Sequence, residues 1–227
     1  MYELYIANKN YSSWSLRPWL LMRERGIPFT ERLLPFGDPA WRDYKTISPN
    51  GRVPCLIDGK TAVWDSLAIV EYLAERHAGV WPADPAARAF ARSAAAEMHS
   101  GFTELRNRCS MSCGVRMRLK EKPAALERDL ERIDGLWSDG LARFGGPYLA
   151  GSAFTAADAF YAPVAFRVQT YGLALGSPRA RAYAERLLAL PTMQAWYADA
   201  LAETFRDQPH ELEIAALAAV LEDLRRR

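Results

Sequence analysis

The sequence predicts a small α/β unit, residues 1–79, followed by an all-α helical unit, residues 86–227. Three observations predict it. The first part alternates short apolar runs with one helical pattern after another. Gly79-Val-Trp-Pro-Ala-Asp-Pro85 then breaks the chain with two prolines and no periodicity. Beyond it the pattern is helical almost throughout, with an Ala and Arg bias.

Tyr2 to Ala7 reads as a buried first strand, and Ser15 to Arg25 as the first helix. Three serines crowd the start of that helix, where a side-chain oxygen can accept from the free N–H groups of the first turn. Pro18 fits a first turn, and Gly26 fits the residue that follows a helix. Phe29 to Leu34 reads as a second strand, completing a βαβ unit with its usual parallel pairing. Gly37 to Asn50 is polar and poorly patterned, an irregular helix around Trp41 and Tyr44. Arg52 to Ile57 and Lys60 to Trp64 flank Asp58-Gly59, a strong two-residue hairpin signal. Asp65-Ser66 then caps a helix carrying Ile69, Val70, Tyr72 and Leu73.

In the second part, Ala86 to Arg118 reads as one long helix kinked near Gly101, and Ala124 to Phe144 as another. Gly145-Gly146-Pro147 breaks the chain. Helices follow over Thr155 to Tyr171, Pro178 to Leu190 and Thr192 to Thr204, and Glu211 to Arg225 reads as an amphipathic last helix.

Half of the 227 residues are hydrophobic and a quarter charged, an ordinary globular composition. The net charge of +2, from 29 basic and 27 acidic residues, argues against nucleic acid as the main partner. Arg225, Arg226 and Arg227 read as a solvated tail. No signal peptide and no apolar run near the ~20 residues of a membrane span is visible, and three cysteines suggest no disulfide framework. The expected location is cytoplasmic, without a membrane partner.

The candidate site begins at the first strand-to-helix junction. Unpaired N–H groups and the helix dipole there favour a negative charge, and a ligand thiolate suits them as well as a phosphate. Val53-Pro54 lies where a loop enters a strand, so the proline belongs at a strand end. Base rates favour a trans bond, whereas a cis bond turns the Val53 N–H and C=O outward toward an extended peptide. Asp65-Ser66 is a helix cap whose hydroxyl and N–H groups also suit a carboxylate, with Asp65 able to pair with an ammonium group. Together these features suit a small peptide bearing a thiol, a carboxylate and an α-amino group.

Strand, S-S-x-S helix start, x-V-P, a D-G turn and D-S-x-A-I-x-x-Y-L together resemble the thioredoxin-fold domain of the cytosolic glutathione transferases. Gly151-Ser-Ala-Phe-Thr155-Ala-Ala-Asp158 resembles the same family's helix-capping motif, in which the threonine hydroxyl and the aspartate cap the helix reciprocally. The likeness spans essentially the whole chain. Serine-type classes fit best, zeta in particular, whose S-S-C-S-W-R is matched by Ser12-Ser13-Trp14-Ser15-Leu16-Arg17. Trp14 stands in place of the cysteine, which disfavours the cysteine-based classes and puts zeta's own substrate, maleylacetoacetate, in question.

The resemblance implies a glutathione transferase. Ser12 would donate a hydrogen bond to the glutathione sulfur, with Ser13, Ser15 and Tyr11 as alternates. Val53, beside Pro54, would pair with the cysteinyl backbone. Asp65 and Ser66 would hold the γ-glutamyl end, and Arg52 would reach the glycine carboxylate. It also implies a homodimer, no metal, and glutathione as co-substrate. The second substrate would be a small hydrophobic electrophile. The stretch from Met98 to Met117 is odd for a plain helix, and Arg106, Cys109 and Met111 are its candidates for the electrophile pocket. Cys55 reads as core, and His77, His99 and His210 form no evident site. Glutathione-dependent isomerase, peroxidase or dehalogenase chemistry, and a non-catalytic binding role, are the alternatives on the same scaffold.

Overall fold

The computed structural model describes residues 1–226; Arg227, part of the expected tail, lies outside the described residues. The first part is built on a four-stranded sheet of β1 (Tyr2–Ile6), β2 (Phe29–Leu33), β3 (Cys55–Asp58) and β4 (Thr61–Val63), in the order β2-β1-β3-β4. β1 runs parallel to β2, with Leu4 beside Glu31, and antiparallel to β3, with Leu4 beside Leu56. The parallel pair requires a crossover, supplied by α1 (Ser13–Glu24); β3 and β4 form an antiparallel hairpin with Asp58 beside Thr61, and its turn is Gly59-Lys60, where Gly59 takes a φ of +59°. α2 (Ser66–Ala74) follows β4. This is the thioredoxin-like arrangement the motifs imply. Leu4 and Ile6 of β1, Leu16 and Leu20 of α1, and Ile69, Val70 and Leu73 of α2 are fully buried in its core.

The second part comprises α3 (Pro85–Ser100), α4 (Thr103–Arg108), α5 (Ala124–Phe144), α6 (Ala156–Tyr171), α7 (Pro178–Ala189), α8 (Pro191–Ala202) and α9 (Gln208–Leu217). α6 is its axis. It is buried on nearly every side, as a helix with neighbours all round must be, and it packs on α1, α3 and α7. Its start is the reciprocal cap expected at Thr155 and Asp158. The buried Asp158 carboxylate accepts from the N–H of Leu149 at 2.9 Å and of Thr155 at 2.8 Å, and from the hydroxyls of Thr155 at 3.0 Å and Tyr183 at 2.8 Å.

Two expected helices are corrected. The pattern over 86–118 is not one helix: α3 ends at Ser100, α4 is a single short piece, and Val115–Leu119 forms a strand, β5. The intervening segment is captured by side chains of α6. Arg167 Nε donates to the Cys109 carbonyl at 2.7 Å, Tyr171 to that of Ser110 at 2.8 Å and Thr170 to that of Ser112 at 2.9 Å. Carbonyls held this way are not available for a helical ladder. Likewise, the last helix stops at Leu217, and Ala218–Asp223 forms β6, antiparallel to β5. Arg225 is consequently no solvated residue. Its side chain is 6% exposed and bonds Glu211, Asp223 and the Tyr11 hydroxyl.

Candidate functional site

The N-terminus of α1 is built around a pair of hydroxyls. Ser12 is the cap: its Oγ accepts from the Ser15 N–H at 3.4 Å and lies 2.7 Å from Ser15 Oγ, and both residues are buried. Ser15 Oγ in turn accepts from the Ala7 N–H at 3.3 Å, which ties the hydroxyl pair to the end of β1. A serine hydroxyl rotates to suit its partners. When Ser15 donates to Ser12, the Ser12 hydrogen is free for a ligand. The Trp14 N–H has no protein acceptor among the described residues, and no acidic side chain occupies the first turn of α1. The junction therefore offers donors and the positive end of a helix dipole to an anion.

Ser12 opens onto a pocket of about 410 Å³ with walls from Tyr11, Trp14, Phe36, Trp41, Arg52, Val53 and His210. The Val53–Pro54 bond is cis, the less frequent alternative on base rates. Neither the N–H nor the C=O of Val53 is hydrogen-bonded to another described residue, so both remain available at the pocket wall. Pro54 is buried behind Val53, and Arg52 is exposed at the rim.

The alternate hydroxyls have other engagements. Tyr11 donates to Glu211 Oε1 at 2.7 Å and accepts from Arg225 at 3.3 Å; burial, and then the Glu211 carboxylate, push its phenol well up from the usual value. Its ring contributes a wall and its oxygen is committed elsewhere. Ser13 Oγ accepts from Arg167 Nη2 at 3.4 Å.

Asp65 caps α2, accepting from the Leu67 N–H at 3.0 Å, and its other oxygen is 3.3 Å from His99 Nε2. Burial and the nearby arginines push His99 down while Asp65 pulls it up, with a net lowering. Ser66 is fully buried, and its Oγ has no partner among the described residues. Asp65 and Ser66 do not line the Ser12 pocket. They lie at the start of the neighbouring helix.

A second, smaller cavity of about 180 Å³ shares the Tyr11, Trp14 and His210 walls. Arg106 and Met111 line it, with Arg17, Arg167, Ser13, Ser110 and Glu213. Cys109 lies behind this lining: it is fully buried, and burial pushes its thiol up to about 12, so it stays protonated and inert near neutral pH.

Sequence reasoning missed Arg17, Arg167 and His210 as neighbours of the site. Arg17 is in the helix motif itself, but nothing in the motif shows that it turns inward. Arg167 and His210 arrive from α6 and α9, more than 150 residues away in the chain, and no local pattern announces them. His210 stacks on Tyr11 with ring centroids 5.0 Å apart, and its Nδ1 bonds Asp207 at 2.5 Å.

A thioredoxin-like unit joined to a helical bundle, with a serine hydroxyl at the first helix start facing a pocket at their junction, defines the class of protein. The family models for the glutathione S-transferase N-terminal and C-terminal domains match residues 11–76 and 116–199, together more than half of the chain. The chain belongs to the glutathione S-transferase family. It is 28% identical over 205 residues to a probable maleylacetoacetate isomerase of Caenorhabditis elegans, covering 86% of this chain and 92% of that one. It is 25% identical over 168 residues to a glutathione S-transferase-like protein of Beauveria bassiana, covering 71% and 76% respectively. Among solved structures, a glutathione transferase homologue from a Burkholderia, with bound glutathione, superposes with a TM-score of 0.65 at 24% identity, covering 88% of this chain and 97% of that one. No helix among the described residues is long and apolar enough to cross a membrane.

Proposed function

We propose that this protein binds glutathione, holds its sulfur as thiolate beside Ser12, and adds it to a small electrophile. One observation carries the reading: Ser12, its hydroxyl paired with that of Ser15 behind it, lines the same pocket at the N-terminus of α1 as Val53, whose backbone groups are free. A free thiol titrates near 8.5 and is mostly protonated at neutral pH. A hydroxyl donor and unpaired helix N–H groups favour the anion, which is the nucleophile. In this reading Val53 pairs with the cysteinyl backbone, Arg52 meets the glycine carboxylate, and Asp65 with the unpartnered Ser66 hydroxyl takes the γ-glutamyl end. Residues 1–79 then supply glutathione binding, and residues 86–227 the electrophile wall. The family resemblance supports a cytoplasmic homodimer.

A second reading, glutathione-dependent isomerisation, is favoured by the Caenorhabditis elegans relative. Product analysis separates the two, because an isomerase returns its glutathione and a transferase consumes it.

The test is calorimetric titration of glutathione into wild type and Ser12→Ala, with the ultraviolet absorbance of bound thiolate followed against pH. The expected result is a bound thiol titrating at least about one unit below 8.5 in wild type, and raised toward the free value in Ser12→Ala. Absence of glutathione binding at millimolar concentration would remove the enzyme reading.

A further inference from the structure

Three arginines line the smaller cavity, and none of them is paired with a carboxylate among the described residues. Arg17, 1% exposed, lies with its guanidinium carbon 4.2 Å from the Trp14 ring centroid and 4.8 Å from that of Phe160. Its Nε and Nη1 are buried and have no hydrogen-bond partner among the described residues. Arg106 lies 4.8 Å from the same Trp14 ring; Nη2 bonds the carbonyls of Met98 and His99, and Nε is unpartnered. Arg167, 5% exposed, spends Nε on Cys109, Nη1 on Pro163 and Nη2 on Ser13. None of the three forms an ion pair within 4.0 Å among the described residues. Asp65 acts on Arg17 only from a distance and faces His99; Glu213, also on the cavity wall, accepts from Ser110 at 2.7 Å.

Buried cations are ordinarily paired, because an uncompensated charge out of water is costly and like charges add to the cost. Burial, and then their mutual repulsion, hold Arg17 well below its usual range; Arg167 is pushed down to about 10, where it still carries its proton at neutral pH. Contact of Arg17 and Arg106 with aromatic faces offsets part of this. It leaves Nε and Nη1 of Arg17 and Nε of Arg106 without a partner among the described residues, and such guanidinium donors match a carboxylate. The cavity is too small for a whole ligand but suits a headgroup, and it shares three walls with the pocket onto which Ser12 opens.

We propose that this cavity is a carboxylate subsite, and that the electrophile is an apolar body carrying a carboxylate, which Arg17 and Arg106 grip while Arg167 adds charge. The inference rests on the glutathione reading for the word electrophile, but not for the anion site itself. In the test reaction, glutathione thiolate attacks the chlorine-bearing carbon of 4-chloro-3-nitrobenzoate. The S–C bond forms, the C–Cl bond breaks, and chloride leaves with the electron pair.

The experiment has two arms. First, benzoate and the uncharged benzamide are titrated calorimetrically into wild type, Arg106→Gln and Arg106→Lys without glutathione, with circular dichroism reporting the folded state. Benzoate should bind wild type and benzamide should not. Arg106→Gln should weaken benzoate about tenfold or more, the equivalent of losing one charged hydrogen bond, and Arg106→Lys should recover part of it. Equal binding of benzoate and benzamide, or unchanged benzoate affinity in a folded Arg106→Gln, overturns the subsite. Second, with glutathione present, KM for 4-chloro-3-nitrobenzoate should lie about tenfold or more below that for 4-chloro-3-nitrobenzamide, and the ratio should collapse in Arg106→Gln. A ratio near one in wild type overturns the substrate class. A glutathione titration of the same samples reports the glutathione site separately, so benzoate binding without glutathione binding overturns only the other reading.

Discussion

On sequence grounds Ser15 is one of the alternates to Ser12. The structure gives it two tasks. It is the hydroxyl paired with Ser12 Oγ at 2.7 Å, and it is the acceptor for the buried N–H of Ala7. Ser15→Ala should therefore act twice. Stability should fall by about 1–3 kcal/mol, since the Ala7 N–H loses its partner in a dry site. The glutathione thiol should also titrate higher than in wild type, though less than in Ser12→Ala. Denaturant unfolding and the thiolate absorbance titration check the two effects separately; an unchanged thiol titration would mean that Ser12 orients itself without help. The roles of Ser12 and Ser15 were legible to different degrees for a physical reason. A cap is a local event, written in the residues around a helix start. The polarity of a hydroxyl chain depends on what accepts from it, and Ala7 belongs to a different element.

At the scale of elements, the C-terminal segment is held by charge. Glu211 of α9 accepts from Arg225 Nη1 at 2.5 Å and Nη2 at 3.0 Å, and from Tyr11 at 2.7 Å, so the end of the chain is fastened onto the α1 junction beside the site. Gly114 admits this approach: a Cβ there would lie 2.2 Å from Arg225 Cγ. Burial alone would raise the Glu211 carboxyl, but the Arg225 and Tyr11 hydrogen bonds outweigh it and hold it below its ordinary value. A carboxylate depressed in the folded state contributes stability that is present above its unfolded pKa, roughly 4.3, and lost as pH falls through the folded value. Acidification below that range should loosen β6, and Glu211→Gln should do so at neutral pH by about 1–2 kcal/mol. Amide exchange at 218–223, accelerated about 5–30-fold relative to α6, is the expected reading. Equal protection in the variant would show that β6 is held by its ladder to β5 alone. The sequence carried half of this ribbon. Val-Arg-Met-Arg-Leu over 115–119 alternates with the period of a strand, and the three apolar residues are the buried ones. The helical reading from Ala86 overran that alternation. β6 has no such signal, because Ala-Ala-Val-Leu-Glu-Asp is extended only through its partner. By contrast, α5, α6 and α7 were legible almost to the residue and the sheet nearly so, β3 starting three residues later than expected, since their limits are set by caps, prolines and glycines within the chain.

For the whole molecule, the joint between the two parts centres on Lys9. Its ammonium group is 2.9 Å from Glu31 of β2 and 2.7 Å from Asp199 of α8, and lies 5.0 and 5.4 Å from the ring centroids of Trp19 and Trp196. The Lys9 carbonyl accepts from Trp196 Nε1 at 2.9 Å, and its N–H donates to Glu203 at 2.6 Å. One residue at the end of the first strand thus engages both units through main chain and side chain. The site depends on that joint, because Ser12, Trp14 and Val53 come from the first unit while Arg106, Arg167 and His210 come from the second. Lys9→Met keeps the apolar stem and removes the charge. The main-chain contacts survive, Glu31 loses one of its two side-chain partners, and Asp199, about 59% exposed, returns to water. The loss should be about 1–3 kcal/mol, below the 3–5 kcal/mol of a fully buried pair. If the joint unites the two units, unfolding of the variant followed by tryptophan fluorescence and by far-ultraviolet circular dichroism should separate into non-coincident transitions, where wild type gives one. Glutathione affinity should fall less than the affinity for a carboxylate probe, because the groups proposed to bind glutathione lie on the first unit and the arginines mainly on the second. Coincident transitions with only a lowered midpoint would mean that the packing of α1 on α6 suffices to couple the units, and that the Lys9 cluster only adds to their stability.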